Sequence, residues 1–277
     1  MRESCENPAK SNVWQEGCQK ETDMAPTPDA KPKPLNLPAV ARAHYARNFI
    51  RTAVCELRFP TLFELESDKP PLSFAKAVRK DFPIYELFRG LNVGPASVAS
   101  SAGHNFRSKD AKWTVQLRAF TLSLETANYN SFDDLKDRLS LVLRAALEVI
   151  ETDFFTRVGL RYVNALPVGE DKIEQWVNPT LVAPLSSGVF GDLSEYWQVM
   201  RGTTPSADGF YLQHGTPANA SAPGREYVLD IDLYREDVPA KDAIGAVTKL
   251  HEREFELFSW AIGEKARQHL GPSDLKK

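Results

Sequence analysis

Residues 227–233 read YVLDIDL, a stretch in which hydrophobic residues alternate with Asp230 and Asp232. A period of two is typical of a β-strand that has one buried face and one polar face. Both carboxylates therefore lie on the same face of the predicted strand.

The same alternation recurs in residues 53–59, 113–118, 122–126 and 157–164. Strands of this kind form a mainly antiparallel sheet with one covered face. Two long stretches with helical spacing, from Ser131 to Ile150 and from about Lys241 to His269, supply amphipathic helices to cover that face. The sequence predicts an α+β fold with the helices packed on one face of the sheet.

The predicted elements occur twice in the same order: a strand, a short helix, three strands and a long helix. Residues 57–59 (LRF) and 160–162 (LRY) are similar, and each triplet lies in the first strand of its half. The order predicts two related α+β halves, residues 45–152 and 153–272, that arose by internal duplication. Residues 273–277 are interpreted as a tail.

Residues 1–44 form a polar leader with many prolines, and its aliphatic residues are too few to offset the entropy of ordering. We therefore expect this leader to be disordered. Met24 opens its Pro-rich part and is an alternative to Met1 as the native start.

Composition argues against several classes of protein. A net charge of −3 and a pI near 6.0 do not fit binding of nucleic acid through phosphate neutralisation. The sequence has neither an apolar run of about 18 residues, as a membrane span requires, nor a signal peptide. The three cysteines Cys5, Cys18 and Cys55 are scattered, as expected in a reducing compartment, so we expect a cytoplasmic protein. Cys55 is interpreted as a small buried hydrophobic residue.

Motifs with a known mechanism are missing from the sequence. It has no phosphate-binding or dinucleotide-binding glycine loop, no zinc-protease helix, no nucleophile elbow and no EF-hand loop. Its five histidines have no spacing typical of metal ligands. We therefore predict no catalytic residue, metal or cofactor, and expect a protein without catalytic activity.

One set of charged residues is a candidate ligand-binding site on the polar face of the sheet: Arg58, Arg157, Arg161, Asp230 and Asp232. The simpler interpretation is cross-strand pairing of arginine with aspartate. The alternative is a metal-dependent phosphodiester- or nucleotide-processing enzyme, in which the aspartates hold the metal and Arg157 and Arg161 bind phosphate. A closed network of pairs would argue against the enzyme.

A second set, His104, Arg107, Lys109 and Lys112, is interpreted as a basic loop before the strand at Trp113. Such a loop is usually solvated. Its alternative role is contact with the phosphates of a nucleic acid.

Residues 48–60, 157–164, 227–232 and 250–262, in this order, resemble a sporadically distributed family of uncharacterised bacterial proteins. The resemblance covers roughly residues 45–271. It implies a bacterial cytoplasmic protein of unassigned activity, accessory to a mobile-element, toxin–antitoxin or phage-defence locus. It carries over no catalytic residues.

The leading hypothesis is a non-catalytic binding module that engages a protein partner or a small ligand through the polar sheet face or the cleft between the halves. The metal-dependent enzyme is the first alternative and nucleic-acid binding the second, which the acidic balance disfavours. No membrane association is expected, and a homodimer stays open.

Overall fold

The computed structural model of the chain describes residues 33–38, 44–93, 98–218 and 225–273. Its strands are β1 (His44–Tyr45), β2 (Ile50–Arg58), β3 (Ile84–Val93), β4 (Val98–Arg107), β5 (Trp113–Arg118), β6 (Thr121–Thr126), β7 (Phe154–Gly169), β8 (Tyr196–Thr203), β9 (Gly209–Thr216), β10 (Arg225–Pro239) and β11 (Pro272–Ser273). Its α-helices are α1 (Leu72–Val78), α2 (Phe132–Ile150), α3 (Ile173–Trp176), α4 (Pro179–Ser186), α5 (Ala243–Ala261) and α6 (Glu264–Leu270).

Nine of these strands form one antiparallel sheet in the order β3-β4-β5-β6-β2-β7-β10-β9-β8. The predicted α+β fold with a mainly antiparallel sheet is therefore confirmed. Strands β2 and β7, the first sheet strands of the two halves, lie side by side at the centre. Among the described residues, the short strands β1 and β11 pair with each other in a separate two-stranded sheet.

The helices cover one face of the sheet, as the alternation predicted. Helix α5 packs against β7 and β10, and α2 packs against β6 and α5. Inward-facing residues of the strands, among them Cys55, Leu160 and Leu229, are fully buried. Burial raises the pKa of the Cys55 thiol, as expected for a packed cysteine. The two halves share this hydrophobic core.

Helix α2 begins where the sequence predicted. The Ser131 hydroxyl accepts a hydrogen bond from the backbone N–H of Asp134 at 3.2 Å, which caps the helix. The helix ends at Glu151, whose φ of 46° lies in the left-handed region.

Two predicted elements were wrong. Residues 98–107, which include His104 and Arg107 of the predicted basic loop, form strand β4, so the first half contributes four strands after its short helix rather than three. The long final helix is divided into α5 and α6 at Gly263, whose N–H donates to the carbonyl of Trp176 at 2.7 Å. A Cβ at Gly263 would lie 2.4 Å from the Gln175 carbonyl oxygen, so only glycine fits this approach.

The end of the predicted leader belongs to the folded unit. The Leu35 N–H donates to the Thr203 carbonyl at 2.7 Å, and Leu35 and Leu37 pack against the core. The prediction of a disordered leader up to residue 44 rested on its proline content and overlooked the apolar contacts of these two leucines. The predictions for residues 1–32 and 39–43, including Cys5, Cys18, Met1 and Met24, lie outside the described residues. None of the described helices has the length and hydropathy needed to cross a membrane.

Candidate functional site on the open sheet face

We call the face of the sheet opposite the helices the open face. It carries all five residues of the predicted ligand-binding set. Arg58 lies opposite Arg157 where β2 meets β7, and Arg161 lies opposite Asp232 where β7 meets β10. Asp230 is two residues before Asp232 on β10 and therefore shares its face.

Both aspartates are paired with arginines. Arg157 Nη2 donates to the two carboxylate oxygens of Asp232 at 2.9 and 2.6 Å. Arg161 donates from Nε and Nη2 to the two oxygens of Asp230 at 2.7 and 2.6 Å. These are charge-assisted hydrogen bonds in short geometry. The predicted arginine–aspartate pairing is confirmed.

A third carboxylate, Glu56 on β2, links the central arginines. Its Oε1 atom accepts from Arg58 Nε at 2.7 Å and from Arg157 Nη1 at 3.2 Å. Like charges directly opposite each other in a sheet destabilise it. Glu56 offsets that repulsion between Arg58 and Arg157.

Glycine on β7 allows the Arg157 side chain to lie flat on the sheet. A Cβ at Gly159 would stand 2.3 Å from Arg157 Nη1. The guanidinium also lies over the Tyr234 ring, with Cζ 4.6 Å from the ring centroid. Tyr234 in turn occupies the space left by Gly209, where a Cβ would stand 2.3 Å from the ring.

Burial and charge act in opposite directions on Asp232. Burial raises the pKa of Asp232, while Arg157 and Arg161 lower it, and the net shift is upward. The hydrogen bonds to Asp230 raise the pKa of Arg161. Arg161 is thus held in its charged form, with the Asp230 carboxylate as its support.

An open depression with a volume of about 520 Å³ lies over this part of the face. Arg58, Arg157, Arg161 and Arg201 contribute to its lining, together with Tyr211, Tyr234 and Glu236. Arg201 is exposed on β8, and its Cζ lies 5.0 Å from the centroid of the Tyr211 ring. Within the described part of the chain, Arg201 has no carboxylate partner.

Sequence reasoning missed Glu56, Arg201, Tyr211, Tyr234 and Glu236. Glu56, Tyr234 and Glu236 have the same period-two phase as residues already singled out, so the alternation could have identified them. Arg201 and Tyr211 gave no comparable signal, because only the register of β8 with β9 brings them together.

The alignment of the halves also needed correction. Thr121, rather than Glu125, lies opposite Arg58 as Asp232 lies opposite Arg161. If residues 122–126 are aligned with residues 227–233 by their alternation, Glu125 falls on Asp232, because alternation alone does not fix the register.

The aspartates are not arranged as metal ligands. Their four carboxylate oxygens each accept from a guanidinium. Among the described residues, no three or more His, Cys, Asp or Glu side chains are grouped so that they could hold a metal ion.

The predicted basic loop is dispersed by the structure. His104 is fully buried in β4, with Nδ1 3.2 Å from the Tyr85 hydroxyl, and burial lowers its pKa. Arg107 pairs with Glu86 at 3.0 Å, and Lys112 pairs with Asp110 at 3.5 Å. Lys109 is exposed in the turn. The structure therefore removes His104 from the predicted loop, and it pairs Arg107 and Lys112 each with a carboxylate.

A buried polar group lies behind the site, on the helix side of the sheet. Glu254 on α5 is 1% exposed, and its Oε1 accepts from the Tyr162 N–H at 3.2 Å. That N–H lies near a register shift between Ile50 and Thr52 on the neighbouring strand. Glu254 Oε2 is buried and has no hydrogen-bond partner among the described residues, and burial raises the pKa of this carboxyl well above its usual range.

Comparison with known proteins gives no family for the chain. No protein-family model matches it, and no curated protein matches it. The resemblance to a bacterial family therefore stays a prediction.

Proposed function

We propose that the chain is a non-catalytic binding module that engages a small ligand or a protein partner through the open face of its second half. The observation that supports this best is the depression of about 520 Å³ over the arginine and tyrosine side chains. Ligand sites in proteins commonly have volumes of about 300–1,000 Å³. The residues around it are held on strands, which makes the surface rigid before any occupant arrives.

Carboxylates hold the arginines in place but do not engage all of their N–H donors. Arg58 binds Glu56 through Nε, and Arg161 binds Asp230 through Nε and Nη2. A guanidinium has five N–H donors. Each arginine therefore keeps donors for an occupant while its position is fixed by a carboxylate.

The metal-dependent enzyme has less support. Asp230 and Asp232 would have to release Arg161 and Arg157 before they could bind a cation. Removing one partner from a largely buried pair is costly because the other charge is left uncompensated.

We also infer that the two halves arose by duplication. The sheet order outward from β2 is β6, β5, β4, and the order outward from β7 is β10, β9, β8. Each half thus repeats the same arrangement, with β3 as an added edge strand. The resemblance adds the expectation of a bacterial cytoplasmic protein whose partner is encoded at a mobile-element, toxin–antitoxin or phage-defence locus.

The test compares the chain with an Arg201→Ala/Tyr211→Ala variant, in which the open face loses two side chains that no buried charge depends on. The matched control is Arg144→Ala/Lys249→Ala, which removes two exposed side chains from α2 and α5. Each protein is isolated from its native cells, and a retained occupant is identified by native mass spectrometry and then purified.

We expect the chain and the control to bind the purified occupant with the same Kd, and the open-face variant to bind at least tenfold more weakly. Equal binding by the open-face variant would contradict the proposal, and so would the absence of any occupant.

A further inference from the structure

We propose that the depression recognises an oxyanion, the carboxylate or phosphate group of a small organic ligand, at Arg201 and Arg161, beside the Tyr211 ring. This inference rests on the proposed function and specifies the chemistry of its occupant.

Arg201 differs from the other arginines that line the depression. It is the one lining arginine for which no carboxylate partner is found among the described residues, whereas Arg58, Arg157 and Arg161 are paired. Its guanidinium is held against Tyr211 instead. An arginine stacked on an aromatic ring is oriented while its N–H donors stay free to bind an oxyanion in a planar fork.

Arg201 and Arg161 lie at the two ends of one row of residues across the sheet. Arg201, Tyr211, Asp232 and Arg161 form a row across β8, β9, β10 and β7, each residue opposite the next. Their Cα atoms therefore span three strand spacings of ~4.8 Å each. Arg201 leans over Tyr211 at one end of this row, and Arg161, bound to Asp230, stands at the other end, so both line the same depression.

Most carboxylates near the depression are already paired with arginines. Asp232, Asp230 and Glu56 are already bound to arginines. Glu236 is the remaining acidic residue of the lining, and it lies opposite Arg157 rather than in the row of Arg201. Within the described ranges, an oxyanion beside Arg201 would thus meet a cation without a carboxylate partner and no unpaired carboxylate in the same row.

Aromatic side chains lie beside Arg201 in the depression. Tyr211 and Tyr234 supply aromatic area within the same depression. A ligand that combines an oxyanion with a flat ring would use both features. This composition suits a small molecule, because the depression is closed on one side by the sheet and measures about 520 Å³.

The experiment uses three ring compounds as probes: phenyl phosphate, benzoate and the uncharged benzyl alcohol. Their dissociation constants are measured by NMR titration of the full chain, Arg201→Ala, Arg201→Lys and the control Arg144→Ala. Thermal melting of each variant checks that the fold is kept, which we expect because Arg201 is exposed on an edge strand.

We expect saturable binding of at least one anionic probe, weakened at least tenfold in Arg201→Ala, partly restored in Arg201→Lys and unchanged in Arg144→Ala. Binding of phenyl phosphate alone identifies a phosphate ligand, and binding of benzoate alone identifies a carboxylate. Equal binding of benzyl alcohol, equal binding by Arg201→Ala, or no binding of either anion overturns the inference.

Different experimental results would contradict the oxyanion inference and the proposed function. If the anionic probes do not bind but the purified native occupant still requires Arg201 and Tyr211, only the oxyanion inference is wrong. If that occupant binds without these side chains, the proposed function is wrong.

Discussion

Arg157 and Asp232 form an ion pair at 2.6 Å although they are not opposite each other in the sheet. Arg157 lies opposite Glu236, and Asp232 lies opposite Arg161. The pair forms because Arg157 runs along β7 over Gly159, where no side chain blocks it. Arg161 is offset in the same direction by two residues and binds Asp230. Gly159 thus sets the partner of Arg157 on this part of the open face.

We expect Gly159→Ala to destabilise the protein by about 1–3 kcal/mol, because the displaced Arg157 guanidinium would lose its hydrogen bonds to the partly buried Asp232. The added Cβ would meet Arg157 Nη1 at 2.3 Å and push the guanidinium off the sheet. Urea unfolding measures the change. Gly245→Ala on α5 is the control, because its Cβ would meet nothing within 4 Å and should stabilise the helix by up to about 1 kcal/mol. Similar behaviour of the two variants would disprove the role of Gly159.

We expect Asp232→Ala to lower the free energy of unfolding by about 1–3 kcal/mol, because it leaves the largely buried Arg157 without its main partner. The side chain of Arg157 is 15% exposed in this pair. Lys136→Ala removes a surface pair with the 83% exposed Asp133 and should change stability by less than about 0.5 kcal/mol. A double-mutant cycle of Arg157 and Asp232 measures their coupling, and a coupling near zero would contradict the account.

Glu254 predicts a pH dependence of stability. Its pKa is raised in the folded state, so the folded protein binds the proton more tightly than the unfolded chain does. Stability contributed by this group is present below the ordinary glutamate pKa and is lost as pH rises through the raised value. Glutamine does not ionise, so Glu254→Gln does not lose this stability as pH rises. The unfolding free energy of the variant minus that of the unmodified chain should therefore increase from pH 4 to pH 8.

Glu148→Gln is the control for that comparison, because Glu148 is exposed on α2. It should show the same pH profile as the unmodified chain. If Glu254→Gln also follows that profile, the carboxyl of Glu254 ionises normally and the assignment is wrong.

His214 should stay neutral in weak acid. It is fully buried on β9 with Nδ1 2.6 Å from the Tyr227 hydroxyl, and burial lowers its pKa from 6.5 to about 4. Its contribution to stability is therefore lost as pH falls from about 6.5 towards 4. An NMR titration of the ring carbons should show no protonation of His214 at pH 5.5, and a midpoint near 6.5 would contradict this.

Much of the fold was predictable because alternation and helical spacing report directly on burial. Residues 53–59 and 227–233 identified the central strands and the face that each side chain occupies. Strand β4 was missed because its sequence, VASSAGHNFR, lacks a clear hydrophobic alternation. The break between α5 and α6 was missed because it depends on a close backbone approach at Gly263.

The candidate site was predictable in composition but not in pairing. The phase of the strands placed the arginines and aspartates on one face. Which arginine binds which aspartate depends on register and on the space above Gly159, and neither can be read from a period of two. Arg201 enters the site only through the pairing of β8 with β9.

The central claim is that the open face of the second half is a binding surface. The most direct test is the affinity of the purified native occupant for the chain and for Arg201→Ala, measured by isothermal titration calorimetry with Arg144→Ala as control. We predict at least tenfold weaker binding by Arg201→Ala and an unchanged Kd for Arg144→Ala. Equal affinities for all three proteins would contradict the claim.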